Sequence, residues 1–148
     1  MKIAIACDHG GYDMKENLAA YLREQGHEVK DFGSYSSESI DYPDFIFPAA
    51  EAVASGEFER GVVVCTTGIG VSICANKVKG IRCALCSDEY SARMTREHND
   101  TNMIAFGGNV TTVVRAREML EIWLKTPFSN GERHCRRIGK ISTYEQTH

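Results

Sequence analysis

Short apolar runs rich in β-branched residues alternate along the chain with longer segments of helical period. The apolar runs are KIAIAC, HEVKDFG, GVVVC, IRCALCS and NMIAFGG, and the segments between them include YDMKENLAAYLREQG, DFIFPAAEAVASGE, GIGVSICANKV and DEYSARMTREHN. Strands that alternate with helices form a parallel sheet, because each parallel crossover needs a connection long enough to carry a helix. We therefore predict a Rossmann-like three-layer α/β/α sandwich with a five-stranded parallel sheet. The segment after Pro127 predicts a C-terminal helical tail.

The length and charge of the chain fit one globular domain spanning residues 1–148. Its net charge is -3, and no apolar run approaches the roughly 18 residues of a membrane span. We expect neither nucleic acid nor a membrane as a partner. The first apolar run breaks at Asp8, too early for a signal peptide, so we expect a cytoplasmic protein.

Four of the six cysteines lie in or at the end of strand-like runs, which favours reduced thiols that mostly fill the core: Cys7, Cys65, Cys83 and Cys86. Cys83 and Cys86 have the spacing of a redox or zinc Cys-x-x-Cys motif. Within a strand, however, their side chains would point to opposite faces of the sheet, and there is no second pair. Core packing is the favoured interpretation.

Three of the predicted strands end in residues that can do chemistry. The first ends in CDHGG, the third in CTTGIG and the fifth in GGN. Ligands of open parallel sheets bind at the carboxyl ends of the strands, so we expect these tips to form one site. The site would combine a carboxylate, an imidazole, a thiol, hydroxyl groups and free backbone amides.

The glycine loop after Cys65 favours the binding of an anion. Its glycines allow a tight turn that exposes N–H groups, and the following helix adds the positive end of its dipole. The same field favours a Cys65 thiolate that could act as a base or a nucleophile. A packing cysteine followed by a plain tight turn is the alternative. A Walker loop is excluded because no lysine follows Gly70, and a cysteine phosphatase loop is excluded because no arginine closes it.

Two further groups of polar residues lie outside the strand tips. His98 ends the fourth helix, which runs back toward the amino edge of the sheet and away from Cys65, so His98 would join the thiol's site most simply from a second subunit. A histidine that merely complements the helix dipole is the alternative. In the tail, Arg133 and Arg137 are four residues apart on one helical face, which suits a phosphate but also an ordinary solvated basic face. The long connection from 33 to 44 adds Asp41 and Tyr42 as candidates.

The combined motifs closely resemble one enzyme family, the sugar-phosphate isomerases of the type B ribose-5-phosphate isomerase family, which also includes allose-6-phosphate and galactose-6-phosphate isomerases. The resemblance spans nearly the whole chain and rests on five motifs in the same order: DHGG at 8–11, DYP at 41–43, CTTGIG at 65–70 with ANK at 75–77, HNDTN at 98–102, and GERH at 131–134 with Arg137.

The resemblance implies a Rossmann-like domain that forms homodimers, or tetramers in some members, with active sites shared between subunits. The substrate would be a phosphorylated aldose or ketose, and neither a metal nor another cofactor is expected, because a proton only moves between adjacent carbons. The implied catalytic residues are Cys65 as the base, Thr67 at the reacting oxygens, His98 as the acid/base for ring opening, and Asp8 at the sugar hydroxyls. The implied substrate-binding residues are His9, Tyr42, Gly68, Gly70, Ser72, Asn99, Asn109, Arg133 and Arg137.

Two positions depart from the family pattern. Thr66 stands where glycine or serine is common, and Asn109 stands where ribose-5-phosphate isomerases of this type usually carry a phosphate-binding arginine. Interconversion of ribose 5-phosphate and ribulose 5-phosphate is the first hypothesis, and a six-carbon aldose phosphate such as allose 6-phosphate is the alternative. A non-catalytic sugar-phosphate binding module and a thiol-based redox protein are weaker hypotheses.

Overall fold

The computed structural model describes residues 1–148 and confirms the predicted order of strands and helices. The strands are β1 (Lys2–Cys7), β2 (Glu28–Asp31), β3 (Arg60–Cys65), β4 (Cys83–Leu85) and β5 (Met103–Gly107). The helices are α1 (Tyr12–Glu24), α2 (Pro43–Ala54), α3 (Ile69–Asn76), α4 (Glu89–Asn99), α5 (Val113–Lys125) and α6 (Glu132–Thr147), and a 3₁₀ turn (His9–Gly11) follows β1.

The five strands form one parallel sheet in the order β2-β1-β3-β5-β4. The sheet extends from β1 to β2 on one side and from β3 through β5 to the edge strand β4 on the other. The direction of winding therefore reverses between β1 and β3, where open sheets of this type bind their ligands. Cys7 and Cys65 are the last residues of these two strands.

Each face of the sheet carries its own apolar cluster, as expected for a sheet covered on both sides. Val62 and Val64 belong to the cluster on the side of α1 and α5, whereas Val63 and Cys65 belong to the cluster on the side of α2 and α3. Alternate residues of a strand point to opposite faces, so the period of two places the Cys65 side chain on the α3 side.

The structure also places Cys83 and Cys86 on opposite faces of the sheet. Cys83 packs against the cluster on the α2 and α3 side, and Cys86 belongs to the other cluster. Burial raises the pKa of Cys86 to about 12 and that of Cys83 well above its ordinary value. All six cysteines are free thiols. The core-packing interpretation of this pair is confirmed.

The predicted helical tail is α6, the longest helix, and neither it nor any other helix is long and apolar enough to cross a membrane. Of its 16 residues only His134 is buried. The ring of His134 stacks on that of His98 in α4, and the Gly80 amide donates to the carboxylate of Glu145, 3.2 Å away. The apolar side chains of Ile141 and Tyr144 stay exposed.

Candidate active site

The tips of β1, β3 and β5 meet at the carboxyl edge of the sheet, as the sequence predicts. The amide of Gly108 donates to Cys65 O at 2.8 Å, and that of Asn109 donates to Thr66 O at 3.0 Å. A Cβ atom at Gly108 would lie 2.8 Å from Gly10 O, so the tips of β1 and β5 are also in close contact. One compact surface therefore carries the three predicted motifs.

The thiol of Cys65 lies at the centre of this surface and is 5% exposed. The amide of Gly68 donates to Cys65 Sγ at 3.1 Å. Gly68 has φ +79°, in the left-handed region, and a Cβ atom there would lie 2.9 Å from the carbonyl carbon of Phe106. Glycine therefore allows the turn that aims this amide at the sulfur. A donor in this position interacts more strongly with a thiolate than with a thiol.

The first turn of α3 offers two free amide groups. The amides of Gly70 and Val71 donate to no atom of the chain, although Val71 is fully buried. Ser72 differs from the prediction, because its amide donates to Gly68 O and its hydroxyl donates to Ile69 O at 2.8 Å. The amides without a partner are therefore those of Gly70 and Val71 rather than those of the whole segment from 68 to 72.

Thr67 presents its side chain to solvent beside this turn. Its Oγ1 atom accepts a hydrogen bond from the Ile69 amide at 3.2 Å, which leaves the hydroxyl hydrogen free to donate. The hydroxyl is thus oriented by the loop and keeps a donor for a bound oxygen atom.

A cleft of about 610 Å³ opens beside the thiol loop and is lined by Asp8, His9, Ile40, Asp41, Tyr42, Pro43 and Asp44. Asp8 is 7% exposed, and its Oδ1 atom accepts from the Gly11 amide at 3.0 Å. Oδ2 has no partner in the chain. Tyr42 packs over Gly70, since a Cβ atom at that glycine would lie 3.0 Å from Tyr42 Cζ. The loop from 33 to 44 therefore forms one wall of the site.

The two positions that depart from the family pattern also lie at this edge. Asn109 is exposed and lines a second cleft of about 420 Å³ together with Gly10 and Gly108. The side chain of Thr66 packs directly on Gly10, where a Cβ atom would overlap the Thr66 hydroxyl. The glycine at position 10 makes the room that the larger residue at position 66 needs.

His98 and Asn99 lie at the opposite edge of the sheet. α4 ends at Asn99, and three residues separate it from the start of β5 at Met103, whereas Cys65 pairs with Gly107 at the other end of that strand. A five-residue strand spans about 17 Å. Within one chain these residues do not meet the thiol, which confirms the placement predicted from topology.

A basic cluster surrounds His98 at that edge. Its ring stacks on His134 at 4.4 Å between centroids and 16° between planes. Arg133 and Arg137 are exposed on α6 and take part in no ion pair. Burial, together with the positive charge of Arg133 and the nearby His98 and Arg137, lowers the pKa of His134. The cluster is arranged to accept an anion.

His134, which joins α6 to α4, is not among the candidate site residues predicted from the sequence. A signal was present, because His134, Ile138 and Ile141 recur at the i, i+4 and i+7 spacing of one helical face. No group of three or more His, Cys, Asp or Glu side chains is arranged to hold a metal ion.

The chain is similar to known sugar-phosphate isomerases over its whole length. The family model described as Ribose/Galactose Isomerase matches residues 3–141. Ribose-5-phosphate isomerase B of Escherichia coli (strain K12) is 46% identical over 145 residues, covering 98% of this chain and 97% of that protein. The structure of ribose-5-phosphate isomerase B from Clostridium thermocellum has a TM-score of 0.97 at 52% identity and 99% coverage of both chains. That from Mycoplasma genitalium, with bound ribulose-5-phosphate, has a TM-score of 0.93 at 36% identity, covering 98% of this chain and 96% of the other.

Proposed function

Because the chain belongs to the ribose/galactose isomerase family, we propose that it interconverts ribose 5-phosphate and ribulose 5-phosphate with Cys65 as the base. The observation that carries the proposal is the turn after β3. There the Gly68 amide lies 3.1 Å from Cys65 Sγ, and the free amides of Gly70 and Val71 follow within one helical turn. A base and preorganised donors for an oxyanion are thus adjacent.

The reaction moves one proton between adjacent carbons. The Cys65 thiolate removes the proton from C2 of the open-chain aldose, and the electrons of the broken C–H bond form the C1–C2 double bond of a cis-enediolate. The carbonyl oxygen becomes the anion, which the amides of Gly70 and Val71 stabilise. The Thr67 hydroxyl donates to the same oxygens. The thiol then returns its proton to C1 while the proton of the C2 hydroxyl moves to O1. C2 becomes the carbonyl carbon of the ketose, with no change in oxidation state of the protein.

The remaining residues act on the ring and on the phosphate. Asp8 Oδ2 is free to accept from sugar hydroxyls, and Tyr42 and His9 line the same cleft. His98 would transfer the proton that opens the ring, with Asn99 beside it. Arg133 and Arg137 carry unpaired guanidinium groups that suit the phosphate. These assignments follow the family pattern and the positions described above.

We propose that His98, Asn99 and the two arginines act on the site of a second copy of this chain in a homodimer. The separation of His98 from Cys65 along β5 supports this arrangement. A second support is the apolar surface around β4, the edge strand, where Ile73, Leu85, Tyr90 and the two apolar residues of α6 are exposed. A tetramer stays an alternative.

Turnover of ribose 5-phosphate tests the proposed chemistry. Ketose formation by the purified protein should fall roughly a thousandfold or more in kcat when Cys65→Ala removes the base, with folding unchanged by circular dichroism. Cys83→Ala, which removes a core thiol, is the matched control and should retain activity. Equal activity of Cys65→Ala and the unaltered protein would contradict the role of the thiol.

Mixing two inactive variants tests the shared site. In a random mixture of Cys65→Ala and His98→Asn, half of the dimers are mixed and each contains one intact site, so about a quarter of the unaltered activity should return. If both residues acted within one chain, every site would carry one lesion and nothing would return beyond the residual activity of His98→Asn.

Asn109 supports a second candidate, an isomerase for a six-carbon aldose phosphate. The cleft of about 420 Å³ that it lines has room beside the thiol loop, and no arginine occupies it. Allose 6-phosphate should then be turned over with a higher kcat/KM than ribose 5-phosphate, and Asn109→Arg should shift the ratio toward the pentose. A ratio favouring ribose 5-phosphate in the unaltered protein would rule out this candidate.

A further inference from the structure

Lys15 is a fully buried lysine that the proposed chemistry does not use. It lies in the first part of α1 with 0% of its side chain exposed. Its Nζ atom donates to Asp31 Oδ2 at 2.6 Å, to Glu16 Oε1 at 2.7 Å and to Ser34 O at 2.9 Å. All three donors of the ammonium group are thus used. Burial disfavours the charge, but the hydrogen bonds that the ammonium group donates to Asp31 and Glu16 outweigh it and raise the pKa of Lys15.

Two of the three acceptors of Lys15, Asp31 and Ser34, lie where β2 ends and the loop from 33 to 44 begins. Asp31 ends β2, and its Oδ1 atom accepts from the Gly33 amide at 2.8 Å while Oδ2 accepts from the lysine. The next residue, Ser34, offers its carbonyl to the same lysine. The buried ammonium group of Lys15 therefore binds both the end of β2, at Asp31, and the start of the loop, at Ser34.

The anchored segment is also bonded to the tip of β1. The Cys7 amide donates to Gly33 O at 2.6 Å, and the Ser34 amide donates to Cys7 O at 2.9 Å. Cys7 directly precedes Asp8 and His9. The start of the loop and the first catalytic motif therefore form one unit held by the Lys15–Asp31 pair.

The far end of the same loop reaches the reacting groups. Ile40, Asp41 and Tyr42 face Asp8 and His9 across the cleft of about 610 Å³, and Tyr42 packs over Gly70. Between the two ends the residues from 35 to 39 are exposed. The position of the wall relative to Cys65 therefore depends on how the loop is held at its base.

From these contacts we propose that Lys15 is a positioning residue for the substrate site, which anchors the loop from 33 to 44 through Asp31 and Ser34. The inference rests on the proposed isomerase function. A buried ion pair contributes little net stability compared with apolar residues of similar size, so packing alone does not call for a lysine here. Positioning does, because the ammonium group directs one hydrogen bond to the end of β2 at Asp31 and another to the start of the loop at Ser34.

Steady-state kinetics with ribose 5-phosphate test the proposal. Lys15→Met keeps the length of the side chain and removes its charge. We expect KM to rise about tenfold while kcat stays within about threefold, because the wall that binds the sugar is displaced and the thiol loop is not. Glu16→Gln changes the exposed partner of the same lysine and should leave both constants unchanged. A KM equal to that of the unaltered protein would overturn the proposal.

Limited proteolysis measures the anchor without any substrate. Tyr35, in the loop, is 67% exposed, so chymotrypsin can cleave after it. The ratio of this cleavage rate in Lys15→Met to that in the unaltered protein should be about ten, whereas Glu16→Gln should leave the rate unchanged. A ratio of one for Lys15→Met would overturn the proposal. If the unaltered protein turned over no sugar phosphate, the proposed function would fail, and this ratio would still decide whether Lys15 holds the loop.

A double variant separates positioning from stability. Lys15→Met leaves Asp31 without its partner and can destabilise the fold, whereas Lys15→Met with Asp31→Asn removes both charges and keeps the Oδ1 acceptor of the Gly33 amide. We expect the double variant to recover the Tm of the unaltered protein and to keep the raised KM. Recovery of both would show that the pair serves stability alone and would overturn the proposal.

Discussion

The two groups of candidate site residues are built in different ways at opposite edges of one sheet. At the carboxyl edge, backbone atoms form the site. The amide of Gly68 donates to Cys65 Sγ, and the tips of three strands are in close contact at their glycines. At the amino edge, side chains hold the end of α4. Arg82 Nε donates to Asn99 O at 2.8 Å, and Arg96 pairs with Asp100 at 2.8 Å.

This difference determines how each edge should respond to substitution. A site formed by backbone atoms cannot accommodate an added Cβ atom easily. The Cβ atom meets other backbone atoms, which cannot move independently of one another. A site held by several charged side chains loses one contact at a time. We therefore expect large losses from small changes beside Cys65 and graded losses beside His98.

The largest effect is expected for Gly68→Ala. The substitution strains a residue at φ +79° and crowds Phe106, so the amide should move away from Cys65 Sγ and kcat should fall about 100-fold. Gly56→Ala is the matched control, because Gly56 has φ +84° with nothing within 4 Å of a Cβ atom. It should lower the Tm and leave kcat unchanged. Similar kcat values for the two variants would contradict the expectation that the carboxyl edge is the more sensitive of the two edges.

A smaller effect is expected for Gly10→Ala, which should lower kcat/KM about tenfold to thirtyfold by pushing Thr66 away from its position. Thr66→Ala removes the hydroxyl that the new Cβ atom would overlap, so the double variant should regain most of the lost activity. A double-mutant cycle measures this coupling. Additive losses would mean that the two residues do not share one space.

At the amino edge we expect graded losses from substitutions of Asp100, which has φ 45° after the last turn of α4. Asp100→Asn tolerates the left-handed backbone and should lower kcat about threefold through a weaker contact with Arg96. Asp100→Ala also strains the backbone and should lower kcat about tenfold by releasing His98. Measuring kcat of the two variants in parallel tests whether the losses at this edge are graded. Equal, hundredfold losses of kcat in both variants would contradict that expectation.

The smallest effect concerns the pH dependence of stability. The folded protein holds the pKa of His134 below its ordinary value of 6.5, so the unfolded chain binds more protons as the pH falls below that value. The free energy of unfolding should therefore decrease on acidification between about pH 7 and about pH 5. His134→Gln should flatten this slope in urea titrations, and Arg133→Gln, which removes a positive neighbour, should flatten it in part. An unchanged slope in His134→Gln would contradict the burial of a neutral ring.

Much of the fold and part of the site could be predicted from local pattern. The period of two in GVVVC places Val62 and Cys65 on opposite faces, and the positions of the strand tips bring Asp8, Cys65 and Asn109 to one edge. The direction of α4 also placed His98 far from Cys65. These predictions succeeded because periodicity and the direction of a parallel crossover are properties of short segments. The base, the shared site and the preferred sugar phosphate remain predictions.

Other features depended on which atoms meet once the chain is folded. The hydroxyl of Ser72 turns into its own helix, so the free donors are Gly70 and Val71. His134 gains its importance from the ring of His98, 36 positions earlier in the numbering. Neither fact has a local signature, since each depends on the partner that a side chain or an amide finds.

The sequence alone determined the order of strands and helices, the edge at which the thiol lies and the family to which the motifs belong. Only the tertiary structure showed that Lys15, on α1, is buried against Asp31 and Ser34. The physical reason is the range of the interactions. Hydrophobic period and glycine turns act within a few residues, whereas the hydrogen bonds of a buried charge join segments 16 and 19 residues apart.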